Sequence, residues 1–173
     1  MPDKETIERA EQDKKEGKSP STQAGEFVRE EMEHIREGKH GARNAKQAIA
    51  IGLSEARRAG VDLKPPKKGK TSEKSRKSAK SAYEKGQKGE PVSKKRSKAR
   101  EKALKKEGKS AASHKALSRQ AKSAAKKRSA SNRSAAAKKA ARTKGPAKRS
   151  AAAKKAARTR ARKEKLETEV FPN

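Results

Sequence analysis

A shortage of large apolar side chains most constrains how this chain can fold. Phe27, Tyr83 and Phe171 are its only aromatic residues, and much of its 28% hydrophobic content is alanine, which buries little area. Ordering the backbone costs about 1–2 kcal/mol per residue, and low hydrophobicity with high net charge is typical of disordered chains. We therefore expect a mostly α-helical chain with extensive disorder and without a compact core in its basic part.

The positive charge is concentrated beyond Pro65-Pro66. Residues 1–63 contain 12 Lys/Arg and 13 Asp/Glu, whereas residues 64–173 contain 39 Lys/Arg and 8 Asp/Glu, within a total net charge of +30. A near-neutral head followed by a polycationic segment is typical of a protein that binds a polyanion. Nucleic acid is the most abundant polyanion in cells, so we expect it as the partner, with DNA as the first candidate and RNA as the second.

Several classes of protein are not expected. The chain has no cysteine, which rules out disulfides and thiolate metal sites. No stretch approaches the roughly 20 apolar residues that span a membrane, and the N-terminus resembles neither a secretory signal nor a transit peptide. His34, His40 and His114 are scattered among charged residues, so we predict no metal site. Without a catalytic constellation we predict no enzyme and no cofactor, and we expect a cytoplasmic, nucleoid-associated protein.

A helical hairpin is predicted in the head, at residues 21–60. Ser21 or Thr22 can cap a first helix that stops at Gly38, and Asn44 with Gln47 resembles a capping box for a second helix, about 45–59. Because about 40 residues is near the lower limit for independent stability, we expect the hairpin to be marginal alone, to form a homodimer or to bind a protein partner. The predicted packing residues of the hairpin are Phe27, Val28, Met32, Ile35, Ile49, Leu53 and Ala56.

Composition divides the chain into five predicted segments. They are a polar N-terminal segment (1–20), the hairpin head (21–63), a Lys/Ser/Gly/Pro linker (64–93), a basic helical segment (94–128) and a disordered Ala/Lys repeat tail (129–173). The tail contains SAAAKKAART twice, at 134–143 and 150–159, with Gly145-Pro146 between the copies. Alanine and lysine favour helix, so we expect short helices to form there on binding a polyanion.

The repeats predict contacts with the phosphate backbone. Each Lys or Arg that pairs with a phosphate releases condensed counterion, which gives a salt slope of about −0.9 per contact on duplex DNA. The predicted DNA-backbone contacts are Lys126, Lys127, Arg128, Lys138, Lys139, Arg142, Lys144, Lys148, Arg149, Lys154, Lys155, Arg158, Arg160 and Arg162. We therefore predict a histone-like protein that binds DNA without sequence specificity.

Three alternatives stay open. The polyanion can instead be RNA, the ribosome or polyphosphate, because charge alone does not distinguish them. The chain can be a protein-interaction or granule-associated protein that acts through the 21–60 hairpin. Sequence-specific readout by that hairpin as a helix-turn-helix is the weakest alternative, since its second helix offers only Lys46, Gln47, Arg57 and Arg58 as polar contacts to bases.

Two parts of the chain resemble known proteins. The repeated SAAAKKAART units, within about residues 120–165, resemble the Lys/Ala-rich tails of linker histones and of bacterial histone-like proteins. Residues 21–61 resemble a family of small basic bacterial proteins of unknown function, through the run KQAIAI followed by LSEAR between Lys46 and Arg57. This second resemblance implies a bacterial origin and no established activity.

Overall fold

All of the regular secondary structure in the described part of the chain is helical. The computed structural model describes the backbone of residues 2–170 and, except for 144 and 163–170, their side chains. Two compact units are present, Met1–Ala121 (unit 1) and Lys122–Asn173 (unit 2). The described range holds the helices α1 (Lys4–Lys15), α2 (Pro20–Glu37), α3 (Ala45–Arg58), α4 (Glu73–Gln87), α5 (Lys94–Leu104), α6 (His114–Lys126) and α7 (Ala130–Val170), with a 3₁₀ turn at Lys109–Ala112.

The helices α2 and α3 pack against each other as the centre of unit 1. Pro20 stands at the start of α2, where its missing N–H removes no helical hydrogen bond. Gly38 ends α2 with φ at 84°, a left-handed conformation that glycine adopts without strain. The Asn44 side chain caps α3 by accepting a hydrogen bond from the backbone N–H of Gln47 at 3.0 Å.

The apolar residues of the hairpin divide between two clusters. One cluster lies toward the 3₁₀ turn and α6, and the other lies toward α1 and the segment after α3. The first contains Met32, Ile35, Ala42, Ala48, Ala111 and Ala112, with Val28, Ile49 and Leu117 packed against it. The second contains Ala10, Ala24, Phe27, Ala56 and Val61, with Ile7, Leu53 and Leu63 packed against it. The core of unit 1 is therefore built on both sides of the hairpin.

Small residues let the helix backbones of unit 1 approach each other closely. A side-chain Cβ at Gly52 in α3 would lie 2.7 Å from the Cα of Val28 and 2.9 Å from the carbonyl oxygen of Phe27 in α2. A Cβ at Gly86 in α4 would collide with the carbonyl oxygen of Arg57 at the end of α3. Two helix–helix contacts thus depend on the absence of a side chain.

The α-helical character is confirmed, but the expected extensive disorder is wrong, and Ala82, Leu104, Ala111 and Ala112 of the basic part are buried within the compact unit 1. The segment taken as a linker contains α4, which packs on α3 and buries Ala82. The tail taken as disordered is helical in α7, with a break at Gly145 (φ 68°, ψ 168°) before Pro146. The prediction failed because it counted large side chains, whereas alanine methyls at closely spaced backbones also fill a core and alanine favours helix by itself.

No helix among residues 2–170 combines the length and the apolar character required to cross a membrane.

Alanine substitutions at two helical glycines should change stability in opposite directions. Gly52→Ala should lower the free energy of unfolding by about 1–3 kcal/mol, because the added methyl forces α2 and α3 apart. Gly25→Ala, in α2 with nothing within 4 Å of its Cβ position, should raise it by about 0.5–1 kcal/mol through helix propensity. Urea denaturation followed by circular dichroism measures both. Stabilisation by both substitutions would contradict the close α2–α3 contact.

Candidate nucleic-acid interface

A long stretch of the chain carries cations and no acidic residue. Residues 108–163 contain 20 Lys/Arg and no Asp or Glu. Their cations therefore have no acidic partner nearby along the chain. Among the fourteen predicted DNA-backbone residues, thirteen are exposed, and the side chain of Lys144 lies outside the described residues. This surface keeps its charge available for an external anion.

Each copy of the repeat places three cations on one side of a helix. At about 100° per residue, Lys138, Arg142 and Lys139 span a sector of about 100°, and the second copy repeats the arrangement with Lys154, Arg158 and Lys155. The break at Gly145 separates the two copies, so each has its own helical segment. Each copy thus presents a compact basic face.

The threonine hydroxyl groups of the repeats bond to their own helix. The Oγ1 of Thr143 donates to the carbonyl oxygen of Lys139 at 3.0 Å, and that of Thr159 donates to Lys155 at the same distance. These two threonine hydroxyls are therefore engaged within their own helix, and lysine and arginine supply the charged contacts that the repeats offer to a polyanion.

The structure gives α3 little freedom to act as a recognition helix. It is packed between α2 and α4, whereas a recognition helix must enter the major groove. Gln47 accepts a hydrogen bond from the backbone N–H of Arg43 at 3.1 Å. Arg57 is buried and donates to the carbonyl oxygens of Leu63 at 3.0 Å and Leu53 at 3.2 Å. Gln47 and Arg57, two of the four side chains that could have contacted bases, are therefore already hydrogen-bonded to the backbone near the ends of α3.

A second group of cations surrounds a cleft of about 230 Å³ in unit 1, beside the start of α5. Arg58, Lys85, Arg96 and Arg100 line it, together with Glu55. Burial lowers the pKa of Arg58, and the charges of Arg100 and Arg96 lower that pKa further. An anion bound in the cleft would reduce the electrostatic repulsion among Arg58, Arg96 and Arg100. Sequence analysis missed the group because its members come from three different helices.

The structure also brings together histidines that look scattered in the sequence. Glu31, His34 and His40 place potential ligand atoms within 4.8 Å of one another, and so do Asp3, Glu30 and His34. The turn at Gly38 folds His40 back toward α2, which no local pattern indicated. The spacing of Glu30, Glu31 and His34 on one helix was the available signal, because residues three and four apart are neighbours on a helix.

Burial raises the pKa of the Glu31 carboxyl to about 8, and the nearby carboxylates of Glu55 and Glu30 also raise it. Burial raises the pKa of Glu55 as well. The surroundings of Glu31 and Glu55 in unit 1 thus disfavour a negative charge. The described cations of unit 2, by contrast, are exposed to solvent.

Comparison with known proteins gives one match. Residues 4–69 match the profile of DUF6496, which is described as a family of unknown function. No curated protein and no solved structure matches the chain. The match spans α1, α2 and α3 and is consistent with the resemblance to an uncharacterised family. The Lys46–Arg57 run as its hallmark and the likeness of the tail to linker histones stay predictions.

Arg57 should act on stability and not on base recognition. Arg57→Met keeps much of the side-chain volume but removes the donors to Leu53 and Leu63, so the free energy of unfolding should fall by about 1–3 kcal/mol. Lys46→Met, at an exposed position of the same helix, should change it by less than about 0.5 kcal/mol. Urea denaturation and DNA binding are measured on both variants. A loss of DNA affinity by Arg57→Met at unchanged stability would restore the recognition-helix hypothesis.

Proposed function

We propose that the protein binds the phosphate backbone of DNA without reading base sequence and is associated with the nucleoid. The observation that carries this proposal is the run of residues 108–163, with 20 Lys/Arg and no acidic residue. The exposed positions of these cations in unit 2 support it. The function needs neither catalysis nor a cofactor.

Electrostatics supplies the mechanism. Duplex DNA carries one negative charge per about 1.7 Å of its axis, and its condensed counterions are released when lysine or arginine takes their place. A helix with cations in a sector of about 100° can direct several of them toward one phosphate strand. The contacts fix no base identity, since sequence is read at base edges. Binding should therefore be strong at low salt and indifferent to sequence.

The protein-interaction alternative has less support. It places the activity in the 21–60 hairpin, but α1, α4 and the 3₁₀ turn already pack against α2 and α3. The apolar stripes that would have docked a partner or a second copy are used in the core of unit 1. The other polyanions keep the same electrostatic support as DNA and are distinguished by experiment.

Neutralising one repeat should change the salt dependence of DNA binding. The triple variant Lys138→Gln, Lys139→Gln, Arg142→Gln loses up to three phosphate contacts, so the slope of log K against log salt should become shallower by up to about 2.7. Fluorescence anisotropy with a labelled mixed-sequence duplex across a salt series measures the slope.

The matched control removes the same charge from α1 by replacing the exposed Lys4, Lys14 and Lys15 with Gln. It should change the slope much less. Wild-type affinity that hardly varies with salt would refute backbone binding, and equal effects of the two triple variants would show that net charge matters and the repeat does not.

Competition at constant salt should identify the polyanion. Unlabelled duplexes of unrelated sequence are expected to displace the labelled duplex equally well, because phosphate contacts carry no sequence information. Single-stranded RNA and inorganic polyphosphate are the matched competitors, added at equal phosphate concentration. If either competitor displaces the labelled duplex at a much lower concentration than unlabelled DNA does, that competitor and not DNA is the preferred partner.

A further inference from the structure

We propose that Glu31, His34 and His40 form a binding site for a divalent transition-metal ion of the zinc class, with Asp3 and Glu30 beside it. The site lies in unit 1, and the proposal does not depend on the proposed DNA binding. Its ligands come from α2, from the turn after α2 and from the segment before α1.

The fold of unit 1 positions these groups before any ion binds. Glu31 and His34 are one turn apart near the end of α2. His40 is fixed by the turn that follows, in which the N–H of Gly41 donates to the carbonyl oxygen of Leu104 at 3.0 Å and that of Ala42 to Gly108 at 3.1 Å. Gly41 lies so close to the backbone of Glu107 that no side chain fits there. A preorganised ligand set is the arrangement that binds metals well.

The distances between the ligand atoms suit an ion better than direct hydrogen bonds. His40 Nε2 lies 3.6 Å from Glu31 Oε2, and the potential ligand atoms of Glu31, His34 and His40 all lie within 4.8 Å of one another. Hydrogen bonds from nitrogen to oxygen usually measure about 2.7–3.2 Å. Tetrahedral zinc with bonds of about 2.0–2.1 Å places its ligand atoms about 3.3 Å apart.

The surroundings of His40 favour the tautomer that can bind a metal. Its Nδ1 lies 3.3 Å from the carbonyl oxygen of Gly41. A proton on Nδ1 can be donated to that oxygen, which leaves the lone pair of Nε2 directed to the side where Glu31 lies. Metal-binding histidines commonly use their second nitrogen in this way, because the hydrogen bond fixes both the tautomer and the orientation of the ring.

Two carboxylate oxygens at the site have no hydrogen-bond partner among the described residues. Glu30 Oε2 and Glu31 Oε1 are buried and accept no hydrogen bond from the described part of the chain. The side chains of Glu30 and Glu31 are only 5% and 2% exposed. Burying a carboxyl oxygen without a donor is unfavourable, and a dication bound by Glu31, His34 and His40 would give the Glu31 carboxyl a partner.

The ligand types indicate the class of ion. Imidazole nitrogen favours zinc, copper, iron and nickel, whereas sites for magnesium and calcium are built from oxygen alone. Two imidazoles with one carboxylate make a three-ligand set that fits zinc with a fourth position left for Glu30, Asp3 or water. Zinc has no redox chemistry, so the proposal adds binding and stabilisation and no reaction.

Metal titration of the full-length, metal-free protein tests the site. We expect one Zn²⁺ to bind per chain by isothermal titration calorimetry, and Co²⁺ to give the visible absorption of a tetrahedral site with nitrogen and oxygen ligands. His40→Gln and Glu31→Gln should each weaken Zn²⁺ binding by about tenfold or more, since loss of even a supporting group around a metal has such effects. The matched control is His114→Gln, because His114 is exposed at the start of α6.

Thermal unfolding keeps the proposal falsifiable if one variant folds poorly. Zn²⁺ should raise the melting temperature of the wild type and of His114→Gln, whereas Glu31→Gln, which replaces a buried carboxyl by an amide of the same size, should fold without metal and show no such rise. Absence of Zn²⁺ binding to the wild type would overturn the proposal. Equal loss of affinity in His114→Gln would place the ion elsewhere.

Discussion

The close contact between α2 and α3 is the constraint on which the rest of unit 1 depends. Gly52 lets the backbone of α3 reach that of α2 at Val28, a separation that no other residue type permits. With the two helices held this close, each keeps apolar residues on both sides of the contact. Phe27 then packs with Ala10 of α1, and Ile35 packs with Ala112 of the 3₁₀ turn. A chain with few large side chains can form a core because its helices touch at the backbone.

Sequence patterns located the hairpin but not the elements that cover it. The sequence shows capping by Asn44, the helix stop at Gly38 and the apolar spacing in α2 directly. These are local signals, which depend only on neighbouring residues and can be recognised in a single sequence. Ala82 and Ala112 are buried, yet in the sequence they lie among Lys, Ser and Ala like any residue of a low-complexity segment. Their burial depends on where the partner helix lies, which composition does not record.

The same limit applies to the sites. The exposed cations of the repeats could be predicted because a charge needs no tertiary contact to stay at the surface. The pairing of His34 with His40 could not, since it requires the turn at Gly38 and the anchoring of Gly41 on the backbone near Glu107. The cleft at Arg58 likewise depends on how α3, α4 and α5 meet.

The two units carry their charge in different ways. Residues 1–121 contain 33 Lys/Arg and 18 Asp/Glu, and residues 122–173 contain 18 Lys/Arg and 3 Asp/Glu, so each unit has a net charge of +15. In unit 1 acids and bases pair, as in Arg9 with Glu26 at 2.9 Å and Lys18 with Asp13 at 2.6 Å. Unit 2 carries the same net charge of +15 on fewer than half as many residues.

In the proposed binding to DNA, that concentration of charge couples the helices of unit 2 to the phosphate backbone. The helix α7 exposes almost all of its described side chains, so alanine propensity and not packing holds it together. Cations one turn apart, such as Lys138 and Arg142, repel each other and oppose the helix. A phosphate backbone cancels that repulsion and leaves the propensity of alanine unopposed. Under the proposed function, binding of a polyanion should therefore stabilise the helices of the repeats, because the charges that attract the polyanion are the same charges that oppose the free helix.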